Sequence, residues 1–442
     1  MGSIVQLSLI FFIKDRINYY IGKIIYYIIP LFTFIISIGI WVLIWATADG
    51  NEHWRDVRQG IITVFAGLIG VIGAFATLAV NYENHEQNRN ITTVKDLNER
   101  LHEILKNRHN SEDNNARASS YFQLAGLYKD WGLLGKNSEI IDAQRKIQQK
   151  NILKLIFGTV PQGEQEQKKN TRSFLERTTL NSVIADIFPK VSDTDEDKKS
   201  FEPFDLQYAD LSRLNFGSVF FPEESNLSHA DLIVADLQGA DLQYAKLQVT
   251  DLQYAKLQNA NLQNAKLQNA KLQNANLQNA KLQNANLWGA NLQEVNLWAA
   301  NLQNAKLQVT DLQYANLQNA KLQNANLQNA NLQNAKLQNA NLCGANLWLS
   351  DLQNANLQNA NLQDANLQDA NLQNAKLQNA NLYNVKNLTA EQLAQAQNIK
   401  SIETRKWDLL TGEYSEEDQD LKNLIQEALE IQKQRKNSQP DT

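Results

Sequence analysis

Leucine recurs at every fifth position from Leu227 to Leu382, through 32 consecutive units. The residue two before each Leu is Ala in 27 of the 32, and the exceptions are Ser225, Thr250, Val295, Thr310 and Ser350. The residue just before the Leu is always Asn, Asp or Lys, and the two after it are polar in nearly every unit. Period five suits neither regular element. On an α-helix, successive leucines would fall about 140° apart and smear around the cylinder. On a flat strand, alternate leucines would point to opposite faces. A strict Leu at this spacing stays inside only if the chain turns within every unit. A coil of short bent segments does this, with Leu in the middle and the small Ala at a crowded corner.

The exceptions indicate how many units close one coil. Thr250, Thr310 and Ser350 are separated by 60 and 40 residues, both multiples of 20, whereas 40 is not a multiple of 15. A square coil of four units is favoured over a triangular one. Ser225 fits neither period. Thirty-two units then make a rod of eight coils, roughly 38 Å long at the strand spacing of 4.7–4.9 Å. Four earlier units, centred on Leu206, Leu211, Phe216 and Phe221, run one residue out of phase, with the insertion around Pro222 to Ser225.

The Ala-(Asn/Asp)-Leu-X-X run resembles the pentapeptide-repeat proteins, and specifically their membrane-anchored cyanobacterial members. The resemblance implies a right-handed quadrilateral β-helix with Leu and Ala inward. It implies little about function, because a fold of this kind hosts unlike roles. Asp113 to Trp131 resembles, faintly, a helical motif that precedes the repeats in such proteins.

Two charge-free apolar runs lie near the start of the chain, about 24–48 and 61–80. About 20 apolar residues suffice to span a bilayer core, so both read as transmembrane α-helices. Ala66, Gly70 and Ala74 form a small-residue stripe that would pack the two spans together or, alternatively, join two copies as a homodimer. Lys14, Arg16 and Lys23 before the first span, with Arg89, Lys95 and Arg100 after the second, outnumber Arg55 and Arg58 between them. The expected topology is therefore a multi-pass integral membrane protein with both termini and the repeats in the cytoplasm.

The expected organisation is a membrane hairpin over 1–80, a charged α-helical region and linker over 81–200, the β-helix over 201–385, and capping helices over 386–442. In the charged region, Val94, Leu97, Leu101, Ile104 and Leu105 make one helical stripe, with Thr93 placed as its cap. Tyr121, Leu124, Ala125 and Tyr128 make a second, and Ile140–Ile156 and Phe174–Phe188 are two further candidate helices. Polar linkers are expected at 161–170 and 192–200. A capping-box pattern, Thr389-Ala-Glu-Gln392, opens a helix expected to run to about Gln397 and plug the far end. An amphipathic helix is expected from Ser415. The aromatic units around Phe201 to Phe221 are expected to cap the near end.

No catalytic signature appears. There is no phosphate-binding Gly loop, no His/Glu metal pair and no nucleophile–base arrangement. His102 and His109 could share a helix face but lack a third ligand at metal spacing. The single cysteine, Cys343, excludes an internal disulfide and a cysteine zinc cage. It directly follows the inward Leu342, so its thiol is expected outward and readily reactive. No catalytic, cofactor or metal site is expected, and the chain reads as a non-enzyme.

Net charge is −5, with 42 Lys and Arg against 47 Asp and Glu, which excludes a generally basic nucleic-acid binder. Residues 226–385 hold nine acids and nine lysines, a poor match to the acidic, DNA-mimicking topoisomerase protectors that the family includes. The expected function is a membrane-anchored, non-catalytic scaffold engaging the lipid bilayer and an unidentified protein partner. The alternative is a regulatory or signalling subunit of a membrane transport complex. With four units per coil, Leu247, Leu287, Leu307 and Leu347 share one side of the rod. That side carries Val249, Trp288, Val309, Trp348 and Leu349 outward, a candidate protein-contact face. Residues 247–260 and 307–320 differ at one position, so duplication by itself also accounts for the paired valines.

Overall fold

The computed structural model describes residues 89, 91–107, 114–134, 139–158, 172–199, 201–407 and 414–437. The chain divides into two compact units, residues 1–100 with 133–145 and residues 101–132 with 146–442.

The reading of two membrane-spanning helices is corrected. Among the described residues, no helix is long and apolar enough to cross a membrane. The long helices that are described carry too much charge: Glu139–Phe157 includes Glu139, Asp142, Arg145, Lys146, Lys150 and Lys154. The multi-pass integral localisation, and the cytoplasmic placement that depended on it, are corrected with it. The runs 24–48 and 61–80, with Ala66, Gly70 and Ala74, lie outside the described residues.

Helix α1 covers residues 91–107, α2 Asn114–Gly132, α3 Glu139–Phe157, α4 Phe174–Ile187 and α5 Asp195–Lys199. In α1, Thr93 is not the cap. It lies inside the helix, and its hydroxyl donates to the Arg89 carbonyl at 2.8 Å. Helix α4 starts at a reciprocal capping box in which the Ser173 hydroxyl accepts from Glu176 N–H while the Glu176 carboxylate accepts from Ser173 N–H. It buries Leu180, Val183, Ile184 and Ile187, an i, i+3, i+4, i+7 stripe, and packs against α2. Phe188 then turns extended, as the residue before Pro189 must. The segment read as a linker over 192–200 contains α5.

From residue 205 the chain winds into a β-helix. Each unit contributes one bridging residue, just before its Leu, and pairs in parallel with the residue 20 further on, as in Lys246↔Lys266 and Asp311↔Asn331. Four units therefore make one coil. Leu N–H donates to the next coil, as from Leu247 to the Lys266 carbonyl at 2.7 Å. Within each unit the Ala N–H closes a four-residue turn on the Leu carbonyl, as from Ala260 to Leu257 at 3.1 Å. Every inward Leu from 227 to 382 is at most 1% exposed, and burying such a side chain contributes about 2 kcal/mol.

The out-of-phase units belong to the rod as its first coil. Asp205 pairs with Asn226, 21 residues on, and Leu206, Leu211, Phe216 and Phe221 are all buried. Ser225 absorbs the extra residue: its buried hydroxyl donates to the Pro222 carbonyl at 2.6 Å and accepts from Phe204 N–H at 3.1 Å. The near end is closed by the helical segment rather than by this coil alone. The Phe188 ring lies 4.5 Å from Phe204, 5.7 Å from Phe216 and 5.9 Å from Phe221, with Phe157 beside it at 6.2 Å. The Phe188–Phe216 contact is edge-to-face and the others are tilted, the ordinary aromatic packings.

At the far end the Thr389–Gln392 capping box is present, but α6 is short, Ala390–Leu393. The Gln392 amide donates to the last coil at Leu367 and Ala370 carbonyls. A hairpin of β1 Arg405–Trp407 and β2 Tyr414–Glu417 occupies part of the stretch read as helix, and the amphipathic helix α7 is Gln419–Asn437. Gln432 on α7 donates to the Ala394 and Ala396 carbonyls, tying the helix across the plug.

Candidate functional surface on the rod

The two outward residues after each Leu form the corner turn. The second of them has a positive φ, near 60°, in every one of the 32 units. Asn stands there in 17 units, because its short amide tolerates the left-handed region better than other side chains. The residue before the Leu is set by the same turn. Its Asn or Asp Oδ1 accepts the N–H two residues on, as in Asn276 with Gln278 at 3.1 Å and Asp351 with Gln353 at 3.0 Å. Asn side chains also link coil to coil, from Asn316 to Asn296 and on to Asn276, each at 3.3 Å.

Against this regular lattice the unusual corners stand out. Val249, Val309 and Leu349 take the left-handed position, with φ of 59°, 59° and 56°. They fall in one column, three and two coils apart. Each is solvent-exposed, at 41%, 49% and 47%, and Trp288 in the neighbouring position is 48% exposed. Trp348 is half-buried. A β-branched residue at positive φ is a conformational outlier, and here it is combined with an exposed apolar surface. Val234, Tyr254 and Tyr314 stand in a second column, one side further round, and Trp298 and Tyr244 on the remaining two sides.

The inward exceptions follow these corners. Thr250, Thr310 and Ser350 are buried directly after Val249, Val309 and Leu349. Thr310 Oγ1 donates to the Leu307 carbonyl at 2.7 Å, and Thr250 Oγ1 reaches the Leu227 carbonyl of the preceding coil at 2.8 Å. Ser350 Oγ is buried without a partner. The other two exceptions, Ser225 and Val295, also follow a non-Asn corner, Glu224 and Glu294.

Charge is arranged by column. One residue before the Leu on the apolar side stand Lys246, Lys266 and Lys306, and in the corresponding position of the next side stand Asp251, Asp311 and Asp351. Glu224 bridges Lys246 at 3.0 Å and Lys266 at 3.3 Å, and the hydrogen bond from Lys246 holds its carboxyl below the usual range. Asp251 pairs with Lys271 at 3.8 Å. Corner residues and the following pre-Leu residues line a common surface: Glu294, Tyr314 and Asn334 face Asn296, Asn316 and Lys336 across a shallow open groove.

Cys343 lies outward as a half-buried thiol, and burial followed by the nearby Asp364 carboxylate pushes its pKa up. The expected ready reactivity is thereby reduced, because the thiolate is the reactive form. Among the described residues no group of three or more His, Cys, Asp or Glu is placed to hold a metal ion. His102 is exposed, and His109 lies outside the described residues. The left-handed corner is the signal the sequence reading passed over: Asn, Gly and Asp recur at one outward position, and that choice marks backbone geometry rather than polarity.

A family model described as pentapeptide repeats, in eight copies, matches residues 223–253, 247–284, 270–308, 310–348 and 350–386. No curated protein matches the chain. Among solved structures it is similar to HetL, a pentapeptide repeat protein involved in heterocyst differentiation regulation from the cyanobacterium Nostoc sp. strain PCC 7120. Identity is 31%, over 46% of this chain and 92% of that one, with a TM-score of 0.20. It is also similar to alr5209, a pentapeptide repeat protein from Nostoc PCC 7120, at 31% identity over 28% of this chain and 80% of that one, TM-score 0.18. Full-length QnrB1, a plasmid-mediated fluoroquinolone resistance protein, matches at 15% identity over 47% and 91%, TM-score 0.21.

Proposed function

The chain belongs to the pentapeptide-repeat family, and from that premise we propose that it is a non-catalytic interaction scaffold whose rod presents the Val249, Trp288, Val309, Trp348 and Leu349 column to a protein partner. One observation carries this reading. Of the four large aliphatic residues at left-handed corners, where Asn is the rule, three, Val249, Val309 and Leu349, are exposed in a single column, and the fourth, Val234, lies on the next side. Each departs from the stable choice twice over, in backbone strain and in exposed apolar area, and such strain concentrates at functional sites. Duplication accounts for Val309 as a copy of Val249. At the same 60-residue offset it also accounts for Trp348 as a copy of Trp288, but not for Leu349, whose counterpart is Gly289. A DNA-like role is disfavoured by the balance of nine acids and nine lysines over 226–385.

The test restores the common residue. In the full chain, Val249→Asn, Val309→Asn and Leu349→Asn together should leave the rod folded, with a melting temperature at or above the parent's. Trp288→Gln and Trp348→Gln complete the polar face. Partners recovered with the parent chain should be lost with this variant. Undiminished recovery would sink the reading, because the fold control removes unfolding as an excuse.

A further inference from the structure

Around the rod's girth the order of columns is fixed by the coil: Lys246, Lys266 and Lys306, then the apolar corners, then Asp251, Asp311 and Asp351. Lys246 and Asp251 sit in one coil, five residues apart, and so do Lys306 and Asp311. A strip about 24 Å long, five coils at the strand spacing, in which the apolar corners are interspersed with Asn269, Gly289 and Asn329, thus has its cations on one side and, Lys271 apart, carboxylates on the other.

We propose that this strip joins two copies of the chain side by side, pointing the same way, about a two-fold axis running along the strip. The inference rests on the contact-strip reading above and names its occupant. A two-fold contact presents the same patch from both copies. When the axis runs along the rod, each residue meets the opposite border of its mate at the same coil. Lys246 then faces the mate's Asp251 and Lys306 faces the mate's Asp311, twice over by symmetry, while Val249, Trp288, Val309 and Leu349 meet their own counterparts. The one like-charged meeting sets Lys266 against the mate's Lys271, and each also has an ion pair within its own chain, with Glu224 and Asp251, which those lysines share with Lys246 and with the mate's Lys246. With rods pointing in opposite directions and the strips centred on each other, Asp251 would face the mate's Asp351, and neither Lys246 nor Lys306 would meet a carboxylate. Charge complementarity sets orientation and excludes the wrong register, so the same-direction pair is selected.

The test uses the full chain with Cys343→Ser, carrying one new thiol. Val309→Cys and, separately, Val249→Cys place it on the proposed axis; Asn319→Cys places it at an exposed corner two sides round the rod. Mild oxidation should link Val309→Cys and Val249→Cys chains into disulfide dimers and leave Asn319→Cys monomeric. Adding Lys306→Asp should lower the Val309→Cys dimer yield about tenfold, by setting like charges opposite each other, and adding Asp311→Lys as well should restore it. No dimer from either strip thiol, or equal dimer from Asn319→Cys, would overturn the proposal. So would linkage of Val309→Cys to a Trp288→Cys chain but not to itself, which marks opposed rods. Loss of the dimer while the parent still recovers a different protein through the strip would leave the scaffold reading standing and remove only this one.

Discussion

Val249 and Val309 stand at the same outward corner, three coils apart, and both hold the left-handed conformation with φ of 59°. Elsewhere the lattice gives this position to Asn in most units. A β-branched side chain there crowds its own backbone, and neither valine recovers the loss by burial. Replacing either by Asn should stabilise the rod by about 0.5–1 kcal/mol. Thermal or denaturant unfolding of each single variant checks this. A fall in stability would mean that the corner accommodates Val without strain.

Ser350 and Thr310 occupy equivalent inward corners with opposite hydrogen-bond status. Ser350 Oγ is 1% exposed by residue and lacks a partner, whereas Thr310 Oγ1 donates to the Leu307 carbonyl. Ser350→Ala should therefore stabilise the protein by about 1 kcal/mol, and Thr310→Ala should destabilise it by about as much. Both substitutions install the residue that 27 of the 32 units already use. Shifts of the same sign in the two variants would contradict the assignment.

Glu224 sits between Lys246 and Lys266, which neighbour each other in successive coils. Its carboxyl is held below the ordinary value of 4.5, chiefly by the Lys246 hydrogen bond and further by Lys266. A depressed carboxyl pKa contributes stability that is fully present above the unfolded value and is lost as pH falls through the folded one. The contribution should therefore persist at neutral pH and disappear only below pH 4.5. Carbon-detected NMR titration of Glu224 should show a low midpoint that returns toward the ordinary value in Lys246→Gln. A midpoint unmoved by that substitution would remove the bridge from the account.

Cys343 is half-buried, and burial together with Asp364 raises its pKa above 9.0. Alkylation at neutral pH should be slow compared with a free thiol and should accelerate as pH climbs past that value. Asp364→Asn should speed it modestly, since burial is the larger cause. Rapid labelling of the folded parent at pH 7 would show that the thiol is more open than its surroundings indicate.

Particular residues show how far the sequence reached. The spacing of Thr250, Thr310 and Ser350 was enough to choose four units per coil, because an inward position must return to the same side after a whole number of coils. Thr389 and Gln392 announced their capping box, because its partners are three residues apart and need no tertiary context. Thr93 misled, since a threonine inside a helix can bond the carbonyl four residues back as readily as cap an end. Ser415 misled as well: the amphipathic stripe begins only at Leu421, and residues 414–417 pair with 405–407 across a register no local period encodes. The apolar runs 24–48 and 61–80 read as spans by length and hydropathy, while the described helices are too charged to cross a membrane.

By itself, the sequence determined the period, the inward Leu and Ala, and the number of units in a coil, because each is a property of a repeat that meets only its neighbours. The tertiary structure decided what depends on residues brought together from distant parts of the chain. It placed Phe188 and Phe157 over the open end against Phe204 and Phe216, and it made the corner left-handed, so that Asn there became a backbone preference. It also set Lys246, Lys266 and Lys306 on one side of Val249 and Val309, and Asp251 and Asp311 on the other. Neighbours 20 residues apart in the chain become adjacent only once the coil has closed.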